Sequence, residues 1–379
     1  MSLNIVVDSH IPHAKDIFSE IGEVVEVPGH EIGPKSVQEA DILVVRSITR
    51  VDKTLLGNSR VSFVGSATAG IDHIDTEYLS GQGVEFAHAP GANAESVVEY
   101  VLSALGALGA DRGQDFRRKT IGIVGCGNVG SRLAERCTSL EMKVIQNDPP
   151  RAIAEGDAAF ADLPSLMTEC DIISVHTPLT ESGTYATRGL ISRGDLSLLK
   201  EGAWLIHTAR GGVCVEQDLV AARNEGVLSA LVLDVWENEP TPNLDAINRA
   251  DIATGHIAGY SWDAKRKGVE MISNEALRHF GILQTESLVR TGQSESLQSV
   301  GIATSDPRFV DALVRQMMDI RSDDRRFREA MKDTDRREAA FHSYRKNYPK
   351  RRTFSHFDSN NLSLPPKLVD AFGLKSRDH

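Results

Sequence analysis

Three short segments of this sequence combine ionisable side chains with glycine or proline directly after runs of apolar residues. The segments are His207–Gly212, Asp234–Pro240 and Gly255–Tyr260. An apolar run ending in polar residues is typical of a buried strand whose end faces a ligand. His256 could take the proton of an alcohol, with Glu239 orienting its imidazole, and Arg210 could present its planar fork to a carboxylate. These are the groups that oxidation of a 2-hydroxy acid requires, beside a positioned nicotinamide.

A glycine-rich loop elsewhere in the sequence indicates that these residues act together at one site. Without it, a structural histidine and a surface arginine would be the simpler interpretation. The apolar strand at 121–124 leads into Gly125, Gly127 and Gly130, which have G-x-G-x-x-G spacing, and helical character follows from Arg132 to Leu140. In such a unit the glycines allow a tight turn, close approach of a pyrophosphate, and close helix–strand packing. We expect Gly125–Gly130, with Asn128 and Val129, to bind a dinucleotide; the alternative is a glycine turn of some other α/β domain.

Asp148 distinguishes the two nicotinamide cofactors. It follows the next apolar strand, 18 residues after Gly130. A carboxylate at this place accepts hydrogen bonds from the adenosine ribose hydroxyls, which favours NAD. Arg151 lies close by and could instead meet a 2′-phosphate, so NADP is the alternative.

Composition and charge exclude several classes of protein. The chain has 379 residues, 41% hydrophobic and 25% charged, which is enough for two or three domains with their own cores. A net charge of -11 argues against nucleic-acid binding, because phosphate contact requires a basic face. No apolar run of membrane-spanning length and no signal-peptide pattern is present, so we expect a cytoplasmic protein without a membrane partner. The four cysteines form no C-x-x-C pair, which predicts a reduced protein with no metal site.

Strand-like and helical segments alternate along the first two thirds of the chain, which predicts an α/β fold with parallel sheets. A long apolar helix from Asn93 would lead into the dinucleotide-binding domain, and a helix at 261–280 would lead back. We therefore predict a first domain of residues 1–94 completed by 261–282, a dinucleotide-binding domain of 95–260 and a C-terminal domain of 283–379. In this last part we expect an amphipathic helix at 307–320 and, at 321–352, a charged tract that is a solvated face.

The motifs, in their order along the chain, resemble the D-isomer-specific 2-hydroxyacid dehydrogenase family. The matching motifs are Asn93–Glu95, Gly125–Gly130, Asp148, His176–Pro178, Thr208–Gly211, Asp234–Pro240 and Gly255–Gly259. The resemblance implies a Rossmann dinucleotide-binding domain plus a flavodoxin-like substrate (lid) domain, with Arg210, Glu239 and His256 as the catalytic set. It also implies NAD contacts from the glycine loop and from Asp148, Thr177, Thr208, Ala209, Arg210, Asp234 and Gly259.

Other features resemble the branch of this family that oxidises a phosphorylated hydroxy acid. They are Val45–Thr49, Gly65–His73, Asp148–Arg151, His256–Tyr260 and the C-terminal extension with Tyr344–Pro349. Ser66 and Ile71 depart from that pattern, where threonine is expected. The resemblance implies substrate contacts from Ser47, Thr68 and Tyr260, and a C-terminal α+β domain that forms a homodimer. For the substrate phosphate the candidates are Arg46 and Arg50, with Arg345 or Lys346 of a partner subunit as a weaker choice. The alternatives are another dehydrogenase of the same family, such as a phosphoglycerate dehydrogenase, or a non-catalytic NAD-binding corepressor.

Overall fold

The computed structural model describes residues 2–46, 48–68, 70–71, 73–156, 159–282 and 294–376. These residues form two compact units. The first unit contains the described residues up to Asn93 and those from Ser261 to 282, and the second contains Ala94–Tyr260 and 294–376. The C-terminal residues thus cluster with the residues of the predicted dinucleotide-binding domain. The division into the three domains 1–94 with 261–282, 95–260 and 283–379 stays a prediction.

The helices and strands alternate as the sequence predicts. The strands are Leu3–Asp8 (β1), Gly22–Val27 (β2), Ile42–Val45 (β3), Phe63–Ser66 (β4), Glu85–His88 (β5), Thr120–Val124 (β6), Lys143–Asn147 (β7), Ile172–Val175 (β8), Ala203–His207 (β9), Leu228–Leu233 (β10), Ile252–Ala253 (β11), Glu295–Ser296 (β12) and Phe357–Asp358 (β13). The helices are Ala14–Phe18 (α1), Pro34–Val37 (α2), Lys53–Leu56 (α3), Thr76–Gln82 (α4), Ala94–Arg112 (α5), Asn128–Ser139 (α6), Pro149–Glu155 (α7), Leu163–Glu169 (α8), Arg193–Leu196 (α9), Glu216–Asn224 (α10), Leu244–Arg249 (α11), Trp262–His279 (α12), Phe309–Val314 (α13), Ile320–Met331 (α14), Arg337–Lys346 (α15) and Pro366–Phe372 (α16).

The first unit is built on a parallel five-stranded sheet in the order β2-β1-β3-β4-β5. This is the flavodoxin-like order, as the resemblance implied. Helix α12 returns to this unit and packs its apolar side on the sheet, with Val269 and Ile272 fully buried. At Gly65 of β4 a side chain would overlap a methyl group of Ile272, so glycine at this position permits the close packing.

The second unit is built on a parallel six-stranded sheet in the order β11-β10-β9-β8-β6-β7. The direction in which strands are added reverses between β6 and β8, and ligands of such sheets bind at this switch point. Strands β9, β10 and β11 are neighbours, so the segments that follow His207, Leu233 and Ala253 leave the sheet side by side. The α/β fold with a Rossmann-type domain is confirmed.

The C-terminal residues pack on the second unit through α5. This helix is buried around most of its circumference, including Tyr100 and Leu105. A side chain at Gly106 would lie 3.2 Å from the backbone nitrogen of Asp311, so small residues on α5 allow α13 to come close. Strands β12 and β13 add a short parallel pair beside the helices.

Three local predictions require correction. Helix α6 begins at Asn128, within the glycine loop, rather than at Arg132. Helix α13 ends at Val314, and the predicted helix over 307–320 is therefore shorter, although Met317 beyond its end is also buried. The tract 321–352 is not simply a solvated face, because Phe327 and Phe341 are fully buried and Arg351 is 6% exposed. Within the described ranges, no helix is long and apolar enough to span a bilayer.

Candidate active site

His256 and Glu239 form the centre of the site at the ends of β11 and β10. The Nδ1 atom of His256 lies 2.8 Å from Oε2 of Glu239, and both side chains are about one-quarter exposed. The other oxygen of Glu239, Oε1, accepts a hydrogen bond from the backbone N–H of Trp236. Burial opposes ionisation of Glu239, but His256, Arg345 and the Trp236 N–H outweigh it and lower the pKa of this carboxyl. An ionised carboxylate on Nδ1 leaves Nε2 to exchange a proton with a substrate.

Asp234 holds the loop that presents His256. It is 1% exposed, and its carboxylate accepts hydrogen bonds from the Thr254 hydroxyl and from the backbone N–H groups of Ile257 and Ala258. Its backbone oxygen accepts from the N–H of His256. His256 itself has a positive φ of 57°, which a non-glycine residue rarely adopts. Asp234, predicted to contact the cofactor, is thus shown to fix the backbone of the catalytic loop.

Arg210 follows β9 at the same edge of the sheet. Its guanidinium donates to the backbone oxygen of Ala209, and no carboxylate of the described chain pairs with it. A side chain at Gly211 would overlap the backbone oxygen of Trp236, so this glycine lets the 208–212 segment lie directly against the β10 segment. Partly buried and without a counter-ion, Arg210 can receive a substrate carboxylate.

The glycine loop has the geometry that its spacing predicted. Gly125 has a φ of 87°, which favours glycine, and a side chain at Gly130 would overlap the backbone oxygen of Gly125. A side chain at Gly127 would meet no atom within 4 Å. Asn128 begins α6 and is exposed with Gly127, while Val129 is half-buried. The loop is therefore tight where helix meets strand and open where a pyrophosphate would approach.

Asp148 and Arg151 join this loop to α7. The carboxylate of Asp148 accepts from the backbone N–H groups of Cys126 (2.8 Å) and Arg151 (3.1 Å). The guanidinium of Arg151 bonds to the Cys126 backbone oxygen and the Ser131 hydroxyl and pairs with Glu155. Arg151 is thus engaged by protein groups rather than directed at a 2′-phosphate. Cys126 is 1% exposed and burial raises the pKa of its thiol to about 12, as expected of a space-filling residue.

The other predicted cofactor residues lie along the same edge. The Thr177 hydroxyl is buried and has no hydrogen-bond partner among the described residues, so a bound ligand would satisfy it. The Thr208 hydroxyl lies 3.3 Å from Nδ1 of His176, and burial lowers the pKa of that histidine to about 3. Ala209 is buried, while Gly259 is half-buried in the loop after His256.

The substrate residues predicted in the first unit are Ser47, Thr68 and Arg46. Ser47 lies outside the described residues. Thr68 shares a hydrogen bond with Ser66, which also bonds to His73, so serine at position 66 keeps the hydroxyl that the expected threonine would supply. Arg46 makes two bonds to the fully buried Asp8 (2.6 and 3.3 Å). Its guanidinium is therefore already neutralised in part.

Two residues near the catalytic loop, Arg351 and His207, lie outside the sequence-based predictions, and a third, Arg345, is expected there only from a partner subunit. Arg345 of the same chain lies over the ring of Tyr260, and buried Arg351 donates to the backbone oxygens of Ser96 and Ala258. His207 is 2% exposed, and burial lowers its pKa to about 4. The spacing of aromatic residues and arginine at 341, 344, 345 and 348 is that of one helix face, and it could have indicated an inward-facing side of the charged tract.

Known proteins resemble this chain over its whole length. The family model for the NAD-binding domain of D-isomer-specific 2-hydroxyacid dehydrogenases matches residues 104–258, and a domain model of unknown function matches residues 294–362. Erythronate-4-phosphate dehydrogenase of Salinibacter ruber is 40% identical, with 99% of each chain covered. The enzyme of the same name from Chromohalobacter salexigens is 42% identical over 93% of this chain and 92% of its own. The chain belongs to the erythronate-4-phosphate dehydrogenase family. This family lies within the broader family that the motifs indicated.

Solved structures agree on the fold. NAD-bound 3-phosphoglycerate dehydrogenase of Entamoeba histolytica has a TM-score of 0.61 and 25% identity, covering 74% of this chain and 96% of its own. D-lactate dehydrogenase of Aquifex aeolicus, solved with NAD and lactic acid, has a TM-score of 0.58 and 24% identity over 74% and 96% of the two chains. The chain is an NAD-dependent oxidoreductase of the 2-hydroxyacid dehydrogenase type, and NAD is its cofactor.

Proposed function

We propose that this chain oxidises 4-phospho-D-erythronate at C2 to (R)-3-hydroxy-2-oxo-4-phosphooxybutanoate, a step in the synthesis of pyridoxal 5′-phosphate. Relatives of this name and near-full-length similarity support the substrate. The observation that carries the chemistry is the 2.8 Å contact between His256 and Glu239, at the sheet edge where Arg210 also emerges. A base with an orienting carboxylate and an unpaired cation is what a 2-hydroxy acid needs.

Each catalytic residue has one task in this proposal. Arg210 binds the C1 carboxylate through its fork and fixes the orientation of C2. His256 takes the proton of the C2 hydroxyl on Nε2, while Glu239 stabilises the imidazolium that results. Asp234 keeps the His256 loop in its strained backbone conformation.

Bound NAD would supply the hydride acceptor for the oxidation at C2. We assign its phosphates to the loop Gly125–Gly130, where Gly127 leaves open space and the N-terminus of α6 offers unpaired N–H groups. Asp148 would accept hydrogen bonds from the adenosine ribose. Thr177, whose buried hydroxyl has no partner among the described residues, is assigned as a further NAD contact. The remaining residues that we assign to NAD binding are Thr208, Ala209, Arg210, Asp234 and Gly259.

Ser47, Thr68 and Tyr260 are assigned to the substrate, together with Arg46. We further propose that the chain forms a homodimer through its C-terminal residues and works in the cytoplasm. Domain boundaries at residues 94, 260 and 282 belong to the same proposal.

A substrate panel tests the reaction. Nicotinamide reduction at 340 nm is followed with 4-phosphoerythronate, erythronate, 3-phosphoglycerate and D-lactate as separate substrates. We expect the highest kcat/KM with 4-phosphoerythronate. A higher value with 3-phosphoglycerate would assign the chain to another dehydrogenase of the broader family. NAD binding without oxidation of any of these acids would support the corepressor alternative.

A further inference from the structure

One arginine of the C-terminal extension lies beside the catalytic loop. Arg345, near the end of α15, places its guanidinium carbon 5.1 Å from the centre of the Tyr260 ring and 5.9 Å from that of Phe341. Tyr260 follows His256 by four residues and also meets Tyr348 edge-to-face, with ring centres 6.2 Å apart. Helix α15 therefore brings a cation to the loop that carries the catalytic histidine.

The guanidinium of Arg345 has no protein counter-ion. Within the part of the chain that the structure describes, it forms neither an ion pair nor a hydrogen bond, and its buried Nε atom has no partner. Other arginines of the same tract are engaged: Arg321 pairs with Asp111 and Asp311, and Arg328 pairs with Asp324. A half-buried guanidinium held only by ring contacts retains donors for an anionic ligand.

The two other arginines considered for the phosphate already pair with carboxylates. Arg46 binds the buried carboxylate of Asp8 through two nitrogens, and Arg50 pairs with Asp52 at 3.3 Å while remaining 72% exposed. Arg345 differs from Arg46 and Arg50 because its positive charge helps to lower the pKa of the catalytic Glu239. A guanidinium that makes no salt bridge at this place can receive a ligand with a second negative group.

We propose that Arg345 binds the 4-phosphate of the substrate within its own chain and thereby determines the preference for a phosphorylated acid. This inference rests on the proposed oxidation of 4-phosphoerythronate. Arg210 takes the carboxylate, and Arg345, packed on Tyr260, takes the other end of the molecule. The planar fork of arginine suits two phosphate oxygens at once, and the ring of Tyr260 keeps the fork in one orientation. The C-terminal extension thus supplies a specificity-determining residue.

The ratio of kcat/KM for 4-phosphoerythronate to that for erythronate tests this role. In Arg345→Gln we expect the ratio to fall roughly 10- to 100-fold, as for loss of a charged hydrogen bond. The change should appear mainly as a higher KM for the phosphorylated acid, because binding to the phosphate is common to the ground and transition states. Arg345→Lys keeps the charge without the fork and should fall between wild type and Arg345→Gln.

Arg336→Gln is the matched control, because it removes the same guanidinium charge from an exposed position directly before α15. It should leave the ratio at the wild-type value. Equal losses on both acids in Arg345→Gln, with an unchanged ratio, would show that Arg345 only supports Tyr260 and would overturn the inference. A wild-type enzyme without preference for the phosphorylated acid would instead refute the proposed function, so the two failures are distinct. Melting temperatures and NAD affinities of the variants confirm that they are folded.

Discussion

His256 occupies a strained backbone conformation that its surroundings enforce. With φ at 57°, the residue depends on the bonds that Asp234 makes to the following N–H groups. Thr254 links this network to α5, since its hydroxyl lies 2.6 Å from the Tyr100 hydroxyl and also donates to Asp234. The imidazole is therefore fixed by its backbone on one side and by Glu239 on the other.

Replacing His256 with Asn tests its assignment as acid and base. Asparagine tolerates positive φ and so keeps the loop, but it cannot accept the C2 proton. We expect turnover to fall on the order of 10²–10⁴-fold, with little change in NAD affinity. Steady-state kinetics and cofactor titration measure the two quantities. Near-normal turnover in this variant would exclude His256 as the base.

The two glycines at the start of α6, Gly127 and Gly130, have different roles. A side chain at Gly130 would overlap the Gly125 backbone oxygen, whereas one at Gly127 would meet open space. Gly127 has a φ of -73°, outside the left-handed region that favours glycine. The close contact at Gly130 therefore matters for folding, and the open space at Gly127 matters for ligand binding.

Alanine substitutions should therefore separate stability from cofactor binding. Gly130→Ala should lower the free energy of unfolding by roughly 1–3 kcal/mol, because the helix must move away from the loop. Gly127→Ala should lower stability less than Gly130→Ala, because its methyl group meets open space, and it should weaken NAD binding, because the methyl group occupies the space assigned to the pyrophosphate. Denaturant unfolding without cofactor and NAD titration provide the measurements. Unchanged NAD affinity in Gly127→Ala would contradict the assigned position of the pyrophosphate.

Across the whole molecule, local patterns predicted the strands and the site segments better than the C-terminal packing. Strand β6 and the glycine spacing follow from apolar runs and from steric limits that are local in sequence. The inward side of residues 321–352 does not, because Arg351 is stabilised by backbone oxygens of Ser96 and Ala258, which are far away along the chain. The bonds of Asp234 likewise depend on the meeting of two strand ends. The buried side of the charged tract 321–352 is therefore defined by tertiary contacts, which the local sequence pattern does not indicate.

Two buried histidines couple the stability of the molecule to pH. His176 and His207 lie at the ends of β8 and β9, and burial lowers their pKa values from 6.5 to about 3 and about 4. The unfolded chain protonates these side chains below pH 6.5, whereas the folded chain keeps them neutral. The unfolded state thus binds more protons between pH 6.5 and 4, and stability falls as the pH decreases through this window.

His207→Asn should remove part of this pH dependence. The shift of His207 corresponds to about 3 kcal/mol of stability lost between pH 6.5 and 4, which a non-titrating side chain would not lose. Chemical unfolding at several pH values gives the slope for wild type and variant, and carboxylates common to both cancel in the difference. His342→Asn, at an exposed position of α15, is the control and should retain the wild-type slope. An equal slope in wild type and His207→Asn would mean that His207 is protonated in the folded protein, because only then would its loss leave the proton balance of unfolding unchanged.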